Sequence, residues 1–237
     1  MGSFVGTNDF SAEILGKSRY YFSIFLRKRM TKLWISFSIA VLLLTGCAQK
    51  ELSQNAPELP QKVEDEKKEL RAHIVANAMK HKNRQDGGDC SGFVTLVNKE
   101  SNEPFFQTQA LNDYYEDSRK SLAIYNYLAD RNRLYYENPK VGDLVFFANT
   151  VKAYAKAKST DNITHIGIIT RIDADETVYF IHHTKGKNLI GQMNLKYPDA
   201  SLYEHKVVNS YMEKCAAKNS QNKCLAPEYF SAYGKIQ

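Results

Sequence analysis

The chain lacks an apolar run of bilayer-spanning length. Its apolar core at residues 33–44 is 12 residues long, against the roughly 20 that a spanning helix needs. It also lacks a real excess of charge over most of its length. The formal net charge is +6, but six of the 32 Lys/Arg and two of the 26 Asp/Glu fall within residues 1–47, leaving 26 against 24. So balanced a remainder argues against nucleic acid as a partner. No close Cys/His ligand spacing is present, so neither a metal nor another cofactor is expected. Gly2 is followed at position 6 by Gly rather than Ser or Thr, which argues against a myristoylation signal. What is there, 43% hydrophobic and 24% charged over 237 residues, fits one generous globular domain with appendages.

The first appendage is a targeting segment. Arg27, Lys28, Arg29 and Lys32 precede the apolar core, and small residues close it, which is the anatomy of a secretory signal. Leu44-Thr45-Gly46-Cys47 resembles the lipobox of bacterial lipoproteins, which implies that Cys47 is diacylated and becomes the new N-terminus. Ala48 behind it implies, by the same resemblance, an outer-membrane destination facing the periplasm if the cell has one. A signal starting at Met1 would be unusually long, so residues 1–29 are expected to be an extension upstream of a true start at Met30. Residues 48–62, polar and containing Pro57 and Pro60, read as a flexible tether. The folded domain is expected over residues 63–237.

Within that domain, residues 63–82 have acidic residues at the front and Leu70, Ile74, Val75 and Ala78 at helical spacing. His73 and His81 are expected on the surface of this helix or its end. Gly87-Gly88-Asp89-Cys90-Ser91-Gly92-Phe93-Val94 then sets a cysteine between a glycine turn and an apolar run that continues as a helix. Free N–H groups at a helix start favour a thiolate and pull its pKa below about 8.5. A lone cysteine under a turn is more often a buried structural thiol, so a catalytic role for Cys90 rests on the histidines downstream. A helix over residues 117–132 is expected to bury Leu122, Tyr125, Leu128 and Ala129. Residues 144–147 read as a short strand, residues 165–172 as a second, and residues 177–183 as its return. Pairing of the last two places His165 across from His182 or His183, only one of which can share its face. Cys215 and Cys224, nine apart across a hydrophilic segment, read as a disulfide in an exported protein.

Four stretches in this order, Asp89-Cys90-Ser91-Gly92-Phe93-Val94, Gly142-Asp143-Leu144-Val145-Phe146-Phe147, His165-Ile166-Gly167-Ile168 and Phe180-Ile181-His182, resemble the motifs of the NlpC/P60 cysteine peptidases. The resemblance implies a papain-like α+β domain with the cysteine-bearing helix packed on an antiparallel sheet. It implies Cys90 as nucleophile, His165 as general base and His182 as the residue orienting it, with His183 as the fallback for that third role. Asp89 and Ser91 fall at positions that in some relatives contact the free amine of the substrate peptide. The implied activity is hydrolysis of peptidoglycan stem peptides, often between D-glutamate and the diamino acid. No aromatic precedes Gly87-Gly88, where many relatives carry one, so substrate preference is less determined than chemistry.

On this reading Cys90 and His165 form a thiolate–imidazolium pair, with backbone N–H groups near Cys90 holding the oxyanion. Two other classes compete. One is a lipoprotein that holds cell wall or a partner without turnover; the other is a related amidase or acyltransferase. A metal site from Cys90, His165 and a histidine of the return strand is weaker, because adjacent strand residues diverge. An activating protein partner is left open.

Overall fold

The computed structural model describes residues 58–116, 118–151, 159–212 and 224–237, all within the compact unit Asn55–Gln237. The expected signal segment, Cys47 and Cys215 lie outside the described residues. No helix among the described residues is long and apolar enough to cross a membrane.

The unit is a mixed α and β fold built on an antiparallel sheet. Helix α1 (Glu58–Lys80) starts inside the stretch read as a tether, and α2 (Cys90–Glu100) starts at the cysteine itself. A 3₁₀ turn (Thr108–Tyr114) and α3 (Lys120–Asp130) follow. The strands are β1 (Leu134–Tyr135), β2 (Leu144–Ala148), β3 (Ile163–Ile172), β4 (Val178–Thr184) and β5 (Lys187–Met193), then the small hairpin β6 (Leu202–Tyr203) and β7 (Lys206–Val207). A single-turn helix, α4 (Ala226–Tyr229), leads into β8 (Phe230–Gly234). Six of the strands form one sheet in the order β1-β8-β2-β3-β4-β5, each pair antiparallel.

Both faces of this sheet are covered, which is why β2 reads as a continuous apolar run rather than an alternation. Leu144 and Phe146 join Ile166, Ile168 and Ile181 under the helices, where Phe93, Val94 and Val97 of α2 and Ile124 and Leu128 of α3 complete the core. Val145 and Phe147 join Ile169, Phe180, Met193, Tyr229 and Tyr233 on the other face. Helix α3 is rotated slightly from the expected phase: Ile124 and Tyr127 are buried and Ala129 is exposed. The reason is tertiary, because the face that meets β3 and the 3₁₀ turn goes inside whatever the average periodicity suggests.

The Gly142-Asp143 pair holds the sheet to α1. Gly142 has φ +89, and a Cβ there would sit 3.0 Å from Cβ of Arg71, so the position needs glycine on both counts. Asp143 is fully buried and takes Arg71 Nη1 at 2.5 Å, the Tyr135 hydroxyl and the N–H of Ile236. One carboxylate therefore ties α1, β1 and the C-terminal residues together. Asp143→Ala leaves a part-buried guanidinium without its counter-charge, and urea denaturation should show a loss of about 3–5 kcal/mol. A change within experimental error would mean that the network contributes nothing to stability.

Candidate active site

Cys90 is the first residue of α2, and the helix begins there because Asp89 caps it. Asp89 is extended (φ −145) and its Oδ1 accepts from the N–H of Gly92 at 2.6 Å. Ser91 donates its hydroxyl to the same oxygen at 2.8 Å. Partial burial opposes ionisation of Asp89, but these hydrogen bonds and Lys120 nearby hold its carboxyl below the usual range. Both residues singled out as substrate contacts thus line the cleft beside Cys90, yet Ser91 is buried and its hydroxyl is spent on Asp89.

The backbone N–H groups of Ile166 on β3, Ser91 and Cys90 itself each favour the ionised sulfur. That places the thiol beside the residue next to His165. A bulge opposite β2, where Phe147 pairs with His165 and Ala148 with Ile163, leaves Thr164 as the extra residue and sharpens the twist of β3 at this point.

The histidine pairing is settled by register. Ile168 faces Ile181, so Gly167 faces His182 and His165 shares its face one step further along. His165 Nε2 and His182 Nδ1 are 2.6 Å apart, one donating and the other accepting. The rings meet edge to face, centroids 4.9 Å apart, and Phe147 and Phe180 back them. Two glycines make the room. A Cβ on Gly167 would come within 3.3 Å of His182 Cβ, and one on Gly191 within 3.2 Å of His182 Nε2 and 2.6 Å of the Phe180 ring.

His183 points to the other face. Its Nδ1 meets Asn188 Oδ1 at 2.9 Å, and Asn188 Nδ2 donates to the carbonyls of His81 and Asp86 at 3.1 Å each. The fallback histidine thus anchors the turn leading to Cys90 and does not touch His165. His73 is exposed on α1 as expected, but His81, also expected on the surface, is only 9% exposed. Its ring lies between two carboxylates, Nδ1 at 2.6 Å from Asp86 and Nε2 at 3.1 Å from Glu100. Burial alone would lower its pKa, but the two carboxylates outweigh it and the net shift is upward. Helical periodicity missed this residue because α1 ends at Lys80 and the chain turns inward there.

Burial pushes the Cys90 thiol up to about 11, helped by Asp89 and opposed by the three N–H groups. Burial also lowers His165 to about 4, with His183 adding to the effect and Asp89 opposing it. His182 is likewise held well below its ordinary value by burial first and then by its histidine neighbours and Lys185. Both shifts favour a neutral thiol and a neutral imidazole over the expected thiolate–imidazolium pair. The helix start favours the anion as anticipated, but desolvation beside Asp89 is the larger effect.

The thiol opens onto a cleft of about 390 Å³ lined also by Tyr115, Ser118, Arg119, Lys120, Ser121 and Thr164. No local pattern in the sequence marks any of these six. Only the position of the α3 start against β3 brings them to the cysteine. No group of three or more His, Cys, Asp and Glu able to hold a metal occurs among the described residues. Cys224 is disulfide-bonded, while Cys215, its expected partner, lies outside the described residues. Compared with family models, curated proteins and solved structures, the chain finds no match.

A thiol with a pKa near 11 reacts through its small thiolate fraction. Carbamidomethylation of Cys90, followed on its own peptide by mass spectrometry, should be slow at pH 6 and accelerate about tenfold per pH unit from there to about pH 9. A rate already on a plateau between about pH 5 and 7 would instead show a resting ion pair.

Proposed function

We propose that this chain is an exported cysteine hydrolase of the bacterial cell wall, a papain-like domain of the NlpC/P60 kind acting on peptidoglycan stem peptides. The observation that carries it is the pair of histidines 2.6 Å apart on neighbouring strands, with a cysteine opening the helix that packs on those strands. Composition, the signal segment and Cys47 as a lipid anchor agree with an envelope location, at the outer membrane in a cell that has one. The bond cut is proposed to lie near the D-glutamate to diamino acid linkage.

In this reading Cys90 is the nucleophile and His165 the base. With Nε2 engaged by His182, the ring nitrogen left for the thiol is Nδ1. A neutral His182 accepting at its own Nδ1 keeps the His165 proton on Nε2 and its Nδ1 lone pair available. As Sγ attacks the amide carbonyl, the thiol proton passes to His165 Nδ1 and a C–S bond forms. The N–H groups of Cys90 and Ile166 donate to the developing oxyanion. His165 then gives its proton to the amide nitrogen, the C–N bond breaks and the amine leaves. Water, deprotonated by His165, cleaves the thioester and restores the thiol. Because proton transfer accompanies attack, a high resting thiol pKa is compatible with turnover.

A second reading is a lipoprotein of the same fold that holds cell wall without cutting it. The protonated resting thiol favours it.

The deciding experiment is incubation of purified peptidoglycan with the wild-type chain and with Cys90→Ala, with released peptides identified by mass spectrometry. Fragments from the wild type alone are expected. Their absence from both proteins, with folding intact, would overturn the hydrolase reading. Where turnover is seen, the acid limb should follow His165: activity rises as pH increases through about 4, where the imidazole loses its proton, and stays level through neutrality. His182→Phe should lower kcat by about 10²-fold or more through loss of orientation, with KM little changed.

A further inference from the structure

His81 takes no part in the proposed chemistry, yet both of its ring nitrogens are engaged where the segment carrying Cys90 is fastened. The ring is buried, with Phe93 edge-on to it at 6.5 Å. Nδ1 lies 2.6 Å from Asp86 Oδ2, and Nε2 lies 3.1 Å from each oxygen of Glu100. An ionised carboxylate can only accept, so each nitrogen must donate to be satisfied, and an imidazole with a proton on both nitrogens is the cation. The neutral ring would turn a lone pair toward one of the carboxylates, exchanging a charge-assisted hydrogen bond for a repulsion.

Asp86 and Glu100 bracket the cysteine in the chain, one in the turn before Cys90 and the other at the last residue of α2. The same turn is pinned to β5: the N–H of Asn83 donates to the Asn188 carbonyl and the N–H of Asn188 to the Arg84 carbonyl, both at 2.8 Å. A Cβ on Gly87 would meet the Phe93 backbone at 2.4 Å, so the turn rests directly on the start of α2 and a shift of one reaches the other. From the β4–β5 hairpin the ring's neighbour is Asn188, whose Nδ2 holds the His81 carbonyl while its Oδ1 meets His183. On α1, Lys80 is turned to Asn77 Oδ1 at 2.7 Å, and Lys82, Arg84 and Lys99 are exposed. Burial disfavours the charged ring, but Asp86 and Glu100 outweigh it and hold the pKa above the ordinary 6.5.

We propose that His81 is a positioning residue, an imidazolium clasp between Asp86 and Glu100 that holds the turn against α2 and opens when the ring loses its proton. That the clasp also sets kcat rests on the hydrolase reading above; that it orders the turn does not. A ring whose pKa is raised by folding contributes fully at pH values below 6.5 and ceases to contribute as pH rises through the raised value. The Cys90 segment is thus held tightly in mildly acidic surroundings and loosens in alkaline ones.

The test uses the full chain. Proton NMR should follow the His81 Cε1–H resonance, assigned by its absence in His81→Gln, to a midpoint above 6.5. Hydrogen exchange of the peptide spanning residues 82–89, corrected for its intrinsic pH dependence, should show protection falling about tenfold as pH rises through that midpoint, the size of one pKa unit of linkage. Glu100→Gln leaves the ring in place and should lower both the midpoint and the pH at which protection falls. His81→Gln should show no such step. A midpoint at or below 6.5, protection unchanged across it, or the same step in His81→Gln would each overturn the clasp. Turnover of peptidoglycan separates this from failure of the function itself: kcat should fall about tenfold on an alkaline limb with the His81 midpoint, KM little changed. A protection step without turnover at any pH would remove the hydrolase and leave the clasp; turnover with kcat flat across the midpoint would keep the hydrolase and remove the positioning role.

Discussion

The contact between the first turn of α2 and β3 at Ile166 makes every other feature of the site possible. A cysteine at a helix start is common and chemically ordinary until a particular strand backbone passes it. Here the Asp89 cap determines where the helix begins, and the apolar face of Phe93, Val94 and Val97 determines which way it lies on the sheet. The bulge at Thr164 then determines how β3 presents His165. A slip of one residue between β3 and β4 would put His182 on the other face and His183 in its place.

The same packing determines the electrostatics. Phe147 and Phe180 behind the histidines dehydrate them, and the pair is neutral as a result. Helix dipole and N–H groups favour a thiolate, but the carboxylate that caps the helix opposes it from one residue away. Capping α2 and activating Cys90 are thus in conflict, and in the resting protein the cap prevails. Charge of the opposite sign is available elsewhere in the cleft, at Lys120.

The turn before Cys90 is held by a second set of polar contacts. Asn83 and Arg84 pair by their backbones with Asn188 at the start of β5, and Asn188 links His183 to the carbonyls of His81 and Asp86. His81 adds a bridge to Glu100 at the far end of α2. Residues with no distinguishing mark in the sequence, His81 and Asn188 among them, are the ones that immobilise the turn. Their partners lie up to 107 residues away, so no local pattern could disclose them.

Local sequence dictated the individual elements and the chemistry available to them. The glycine turn, the acidic cap and the apolar run required a helix opening at Cys90. The run at residues 144–147 required a strand buried on both faces, and the two histidine-bearing strands required a hairpin, because periodicity, capping and turn residues act over a few neighbours. Long-range packing chose which histidine pairs with His165, how far burial moves the thiol and the imidazoles, and that the start of α3 lines the same cleft as Cys90. Those outcomes depend on strand register, on desolvation and on the space left by Gly167 and Gly191, which exist only once distant segments have packed.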